Sequence, residues 1–451
     1  MHLWPGDLAG ATSRRETPLR RGAPWPHPGE PGGSGTLETV STAADLPLLA
    51  IVHNSDSVSS FDLAEAASGL CRILFVLDGD PSMARLLHHF GPVTDITGLR
   101  GPEAAARVRL LQPDGIATFI DALLLRTAAL ADDLGLLFHS PDVAATLVDK
   151  YRQRQALQRA GLPGPRFRRI DSGEVSREAL GADLDYPVVV KPQAGAASRE
   201  TTLVVDRDQL LDAVARASAV GIGAMVVEDY LPDSEAAMAP DYASFVSVES
   251  VMGAGRLRHL AVVGKFPLAP PFREAGHFTP SQLPPAAVEE VLDAVGAAVL
   301  GIGIAVGGVH TEVKLTPAGP RIIEVNGRTG GAVPDVLSAA GGGSLLEAAM
   351  RVALGQPPGD GGLSPCSRVG YKINVQPPMW AHVVHSIEGL EAVSEIPGVR
   401  SVNLLRKPGD AVDWRLGSDE EVFHVIGSVA DLDDLRAVRH RIDDLVSVSY
   451  G

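Results

Sequence analysis

Two short apolar runs, 309–315 and 321–325, are joined by Thr316-Pro317-Ala318-Gly319-Pro320, a turn composition that predicts a β-hairpin. Side chains alternate along a strand, so His310, Glu312 and Lys314 share one face of the first run, and Glu324 and Asn326 share one face of the second. A pairing that turns Glu312 toward Glu324 and Asn326 gathers two carboxylates and an amide oxygen. Carboxylates that close repel one another unless cations or protons intervene. Hard oxygen donors suit Mg²⁺, which takes one or two carboxylates together with the phosphate oxygens of a substrate. Arg328, just past the second strand, has the planar fork that grips phosphate or carboxylate oxygens. A solvent-facing hairpin with scattered charges is the bland alternative. Against it, Ile322-Ile323 and the Gly-rich stretch 327–331 point to a crowded location.

A second candidate is Lys191, which ends the apolar run 186–191 beside a loop of small residues, 193–198. Small side chains let backbone N–H groups approach phosphate oxygens, and a neighbouring lysine adds a point charge. An edge lysine before a plain turn predicts the same residues. Glu228-Asp229-Tyr230-Leu231, followed by Glu235, could offer backbone groups to a purine edge and a carboxylate to ribose hydroxyls; a solvated acidic loop would read alike. Lys150, Lys265, Arg273, Glu274 and His277 carry no spacing signal of their own.

These residues need a scaffold, and the texture of the chain from Leu46 supplies one. Runs 48–52, 73–77 and 115–120 alternate with helical patterns at 58–69, 82–90 and 121–133, which implies βαβ units on a parallel sheet. A helix is predicted over 142–160, ending at Gly161, and another over 286–300; strands are predicted at 371–375 and 422–426 and a helix at 430–445. The division expected is a front α/β domain over 41–140, a lid over 141–230, a core over 231–365 and a terminal α+β domain over 366–451. Residues 1–40 read as a disordered tail, since 1–37 hold six Pro and seven Gly without apolar periodicity.

Composition trims the functional classes. Among 451 residues, 39 basic against 55 acidic side chains leave a net charge of −16, the wrong sign for a general nucleic-acid binder. The longest nearly apolar stretch, 294–309, is 16 residues and Gly-rich, short of the ~20 a spanning helix needs. Two cysteines, Cys71 and Cys366, exclude a disulfide scaffold and a Cys₄ zinc site, and fit a reduced, cytoplasmic protein.

Taken in order, Asp149-Lys150, the strand 186–191 with its loop, Glu228–Leu231 with Glu235, His310-Thr311-Glu312 and the run 319–331 resemble the ATP-grasp superfamily. Within it, the H-[TV]-E-[VLI]-K strand and the I-E-x-N-x-R-x-G-G ending resemble the carboxylate–amine ligases that include L-amino acid ligases and carnosine synthase. The resemblance spans roughly 45–365 and is most specific at 305–331. It implies an α/β, partly α+β, ATP-grasp fold with a Rossmann-like front domain, a lid and a small C-terminal domain. It also implies roles. Lys150, Lys191 and Ser198 would contact phosphates; Glu228, Tyr230 and Leu231 would line the adenine edge; and Glu235 would bind ribose. Glu312, Glu324 and Asn326 would hold two Mg²⁺ ions, with Mn²⁺ as a substitute. Arg328 would steady an acyl phosphate, with His310 and Lys191 beside it as catalytic groups. Arg273, His277, Arg328 and Gly331 would face the acid substrate. One departure is that the loop 194–199 has a single Gly where many relatives have several.

The activity expected from this resemblance is ATP-dependent joining of an amino acid or related acid to an amine, with small-molecule partners and no nucleic acid or membrane. Dimerisation is common among such ligases. Another phosphoryl-transfer or carboxylase-type enzyme of the same fold is the first alternative, disfavoured because no biotin-attachment Met-Lys-Met is present. A non-catalytic nucleotide-binding module is the second, and loss of a metal ligand would mark it. All three candidate ligands are present.

Overall fold

A computed structural model describes residues 45–54, 58–171, 184–234 and 241–451. The expected tail 1–40 and Glu235 lie outside the described residues. Everything described belongs to one compact unit, Ala43–Gly451.

The front of the chain forms the expected parallel sheet. Strands β1 (Leu48–His53), β2 (Arg72–Leu77), β3 (Val93–Asp95) and β4 (Gly115–Ala117) pair in the order β3-β2-β1-β4. Strand β1 is apolar at five of six positions and buried throughout, as a parallel strand covered on both faces must be.

A second sheet of four antiparallel strands follows, in the order β5-β8-β6-β7: β5 (Phe167–Asp171), β6 (Val188–Pro192), β7 (Thr202–Val204) and β8 (Ala224–Asp229). It carries Lys191 and Glu228. The single helix expected over 142–160 is instead two, Pro141–Leu147 and Lys150–Arg159. The break is made by Asp149, whose side chain accepts from the backbone N–H groups of Tyr151 and Arg152 and so caps the second helix. Apolar periodicity runs across the break and hides it. The capping residue places Lys150 at the first position of the second helix.

The third sheet has eight strands in the order β13-β12-β9-β10-β11-β14-β17-β16, antiparallel throughout. Its members are β9 (Phe245–Gly253), β10 (Arg256–Lys265), β11 (Gly276–Thr279), β12 (Gly307–Thr316), β13 (Gly319–Asn326), β14 (Val369–Val375), β16 (Val399–Leu404) and β17 (Phe423–Val429). Strands β15 (Val384–Glu388) and β18 (Ser447–Tyr450) pair separately. The predicted hairpin is therefore β12–β13, at the edge of a sheet that continues without interruption into the C-terminal strands.

One core cluster packs Val291, Val295, Ala298, Val299 and Ile302 of helix Pro285–Ile302 onto Val309, Val313, Leu315, Ile322 and Val325 of the hairpin. Burying each of these Val, Leu and Ile side chains contributes about 1.5–3 kcal/mol, so this contact pins the back of the hairpin and leaves its polar face for chemistry. The apolar stretch 294–309 is the end of that helix and the start of β12. No helix among the described residues is long and apolar enough to cross a membrane.

Candidate active site

The hairpin register brings the expected groups together. Glu312 lies directly across from Glu324, and His310 across from Asn326. Cations surround the carboxylates. Lys150 Nζ is 2.9 Å from Glu324 Oε1 and also donates to the carbonyl of Gly195 at 2.6 Å. His310 Nε2 is 3.7 Å from Glu312 Oε1. Burial works against the Glu312 charge, but His310 and Lys265 hold its pKa below the usual value, so it stays an oxygen donor at neutral pH. Among the described residues no three His, Cys, Asp or Glu side chains converge as a metal cage. Two opposed carboxylates and an amide oxygen nonetheless fit Mg²⁺, which completes its shell with water and phosphate oxygens.

His310 is gripped from behind. Its Nδ1 lies 2.5 Å from Glu249 Oε1, and the other oxygen of Glu249 accepts from the backbone N–H of Gly330 at 2.9 Å. Burial disfavours the imidazolium, but Glu249 reverses this and raises the His310 pKa to about 9. Arg328 is likewise held, with Nε and one terminal nitrogen on Asp121 Oδ2 at 2.8 and 2.5 Å and the other on the carbonyl of Thr329 at 2.8 Å. Two of its five N–H donors are left for a ligand.

On the second sheet, Glu228 accepts two bonds from Arg154, at 2.7 and 2.9 Å, and lies 2.9 Å from Lys191 Nζ. Arg154 also donates to the carbonyls of Ile322 and Ile323, which joins the helix Lys150–Arg159 to β13. Burial opposes the Glu228 charge, yet Arg154 and Lys191 hold its pKa at about 2. The carboxylate of Glu228 is therefore engaged with two cations, and only backbone of 228–231 remains for an adenine edge. Tyr230 donates its hydroxyl to Asp233 at 3.0 Å, and Asp233 also pairs with Lys314 at 2.5 Å and accepts from Ser244. Leu231 lies in this same connection between the second and third sheets, and Ser198 in the small-residue loop with φ +57°.

The acid-side candidates divide. His277, on β11, bonds through Nδ1 to Glu274 Oε1 at 2.8 Å, and Lys265 Nζ reaches the same oxygen at 2.8 Å. The His277 Nε2 is buried with no hydrogen-bond partner among the described residues. Arg273 is placed differently from the expectation. It is 1 % exposed, and its guanidinium donates to the carbonyls of Pro270 and Pro377. That makes it a tie between two backbone segments. Gly331 is exposed beside the hairpin end.

Sequence reasoning missed Asp121, Arg154 and Glu249. A lone acid inside the apolar strand 245–253 was a usable signal for Glu249. For Asp121 the signal was its position at the carboxyl end of a parallel strand, where α/β ligand sites lie. Arg154 had none, being one polar residue among many in a polar helix.

Residues 184–334 match the family described as ATP-grasp domain. The chain is 32 % identical to carnosine synthase 1 of Gallus gallus over 338 residues, 68 % of this chain and 35 % of that protein. It is 27 % identical to alanine–anticapsin ligase of Bacillus subtilis (strain 168) over 215 residues, 45 % of each chain. The chain thus spans about a third of the carnosine synthase and under half of the anticapsin ligase. The fold is that of the L-amino acid ligase from Bacillus licheniformis, with a TM-score of 0.71 at 21 % identity, over 90 % of this chain and 99 % of that one.

Proposed function

We propose that the chain is an ATP-dependent ligase that joins the carboxylate of an amino acid or related acid to an amine, releasing ADP and phosphate. The observation that carries this reading is the opposition of Glu312 and Glu324 beneath Lys150, with Arg328 at the end of the same strand. The likeness to carnosine synthase and alanine–anticapsin ligase supports it.

A carboxylate is a poor acylating agent because oxide would have to leave. Attack of its oxygen on the γ-phosphorus of ATP expels ADP and makes an acyl phosphate; attack of the amine nitrogen on the acyl carbon then expels phosphate, and the nitrogen loses its proton. Glu312, Glu324 and Asn326 would hold one or two Mg²⁺ ions, which when bound neutralise phosphate charge. Lys150 and Lys191 bind the transferring oxygens. Arg328 directs its remaining N–H groups at the acyl phosphate and at the negative charge that grows as the amine attacks. His310, held charged by Glu249, adds a fixed positive charge on the same face. The loop 194–200 covers the phosphates and keeps water from the acyl phosphate. On this reading the partners are small molecules and the compartment is the cytoplasm.

The test is a matrix of L-amino acids against amines, with phosphate release as readout and mass spectrometry of the product. Release that needs both substrates, with a new amide mass, is expected. Release with the acid alone and no amide would exclude ligation.

A further inference from the structure

The loop that would cover the phosphates does not stand alone over the site. It is docked on a turn of the C-terminal strands, the 3₁₀ segment Trp414–Glu420. The backbone N–H of Ser418 donates to the carbonyl of Ala197 at 2.8 Å, and that of Glu200 to the carbonyl of Arg415 at 3.0 Å. An exposed ion pair, Arg199 to Asp419 at 3.1 Å, lies beside them. Three non-glycine residues of this loop, Ala197, Ser198 and Glu200, have φ between +49° and +58°, a conformation that persists only where the surroundings impose it. The contact is closest at Gly417, with φ +84° and ψ −150°, which L side chains scarcely adopt. A Cβ there would sit 2.0 Å from the carbonyl oxygen of Ala197.

The same turn reaches the other way. Ser418 Oγ accepts from the backbone N–H of Glu274 at 2.9 Å. Gln376 Nε2 bridges the carbonyls of Ser418 and Glu274, at 2.8 and 3.0 Å. Glu274 in turn holds His277 and Lys265. One residue, Ser418, therefore bonds the phosphate-side loop through its backbone and the Glu274 loop through its side chain.

We propose that Gly417 and Ser418 are positioning residues that couple the phosphate-covering loop to the loop bearing Glu274 and His277, so that nucleotide binding orders the acid side of the site. This rests on the nucleotide-binding reading above. Coupling of this kind is reciprocal, so whatever orders the Glu274 loop also tightens nucleotide binding.

Hydrogen exchange of the full chain, with and without β,γ-methylene-ATP and Mg²⁺, tests it. Wild type should show slowed exchange both in peptides over 194–200 and in those over 273–278 when the nucleotide is added. Gly417→Ala should raise the Kd for the nucleotide about tenfold or more. Even without nucleotide it should speed exchange in both loops. Ser418→Ala keeps the backbone bond to Ala197 and the Gln376 bridge but loses the Oγ bond to Glu274, so the nucleotide should still slow 194–200 and should slow 273–278 less than in wild type; Ser418→Thr should restore the coupling. If Gly417→Ala does not fold, the two Ser418 variants carry the test. Wild-type protection confined to 194–200, or Ser418→Ala indistinguishable from wild type, overturns the coupling. Absence of nucleotide binding by wild type overturns the functional reading instead, and the nucleotide-free exchange of Gly417→Ala still decides whether the turn holds the loop.

Discussion

Asp121 and Arg328 are 207 residues apart in sequence, and a single carboxylate oxygen of the first takes two N–H bonds from the second. Asp121 directly follows the stretch leading out of β4, so the front sheet aims the arginine at the end of the hairpin. Asp121→Ala is expected to lower kcat about 10²-fold with little change in the KM for ATP, because a small misplacement of a catalytic group costs about that much. Steady-state phosphate release measures it. Equal kcat would remove the front sheet from the chemistry.

Chelation with EDTA should abolish phosphate release, and Mg²⁺ should restore it. Glu312→Gln and Glu324→Gln keep the side-chain shape but remove the charge, and each should cost on the order of 10²–10³-fold in turnover. Glu324→Gln also leaves Lys150 without its 2.9 Å partner. Unaltered ATP turnover in Glu324→Ala would sink the metal assignment.

The Glu228 pair makes a prediction about acid. Its folded pKa of about 2 lies below the unfolded value of about 4.3, so the folded carboxylate binds protons less readily than the unfolded one. Its contribution is then full above about pH 4.3 and is lost as pH falls toward 2. Glu228→Gln should flatten this part of the stability profile. At neutral pH it should also destabilise by about 3–5 kcal/mol, since Arg154 and Lys191 would be buried without their counter-charge. Urea midpoints measured between about pH 2.5 and 7 check both.

Gly330 has no room for a side chain. A Cβ would lie 2.7 Å from Glu249 Oε1, from His310 Nδ1 and from Val333. Gly330→Ala should cost about 1–3 kcal/mol of stability, and turnover with it, as overpacking does. At Gly331 a Cβ meets nothing within 4 Å. Gly331→Ala should therefore leave the urea midpoint near wild type, and equal midpoints for both variants would refute the packing argument.

Legibility followed range. The hairpin, its turn and the shared face of His310, Glu312 and Lys314 could be read because strand alternation and turn chemistry act over a few residues. The parallel front sheet was equally plain from alternating runs. Two features misled. Asp149 caps a new helix inside one continuous apolar pattern. Strands β9 and β10 drew no motif at all, although they bring Glu249 and Lys265 into the centre of the site.

What the amino-acid order determined by itself was which atoms face the same way on one strand; the register that sets Glu312 across from Glu324 belongs to the folded hairpin. Only the tertiary structure decided what charges oppose them. Lys150 on Glu324, Glu249 behind His310, Asp121 on Arg328 and Ser418 between two loops are all contacts between distant segments. Sequence spacing carries no distance for such pairs. Each is fixed by the packing of separate sheets, and the charge of a buried group depends on the partner that packing supplies.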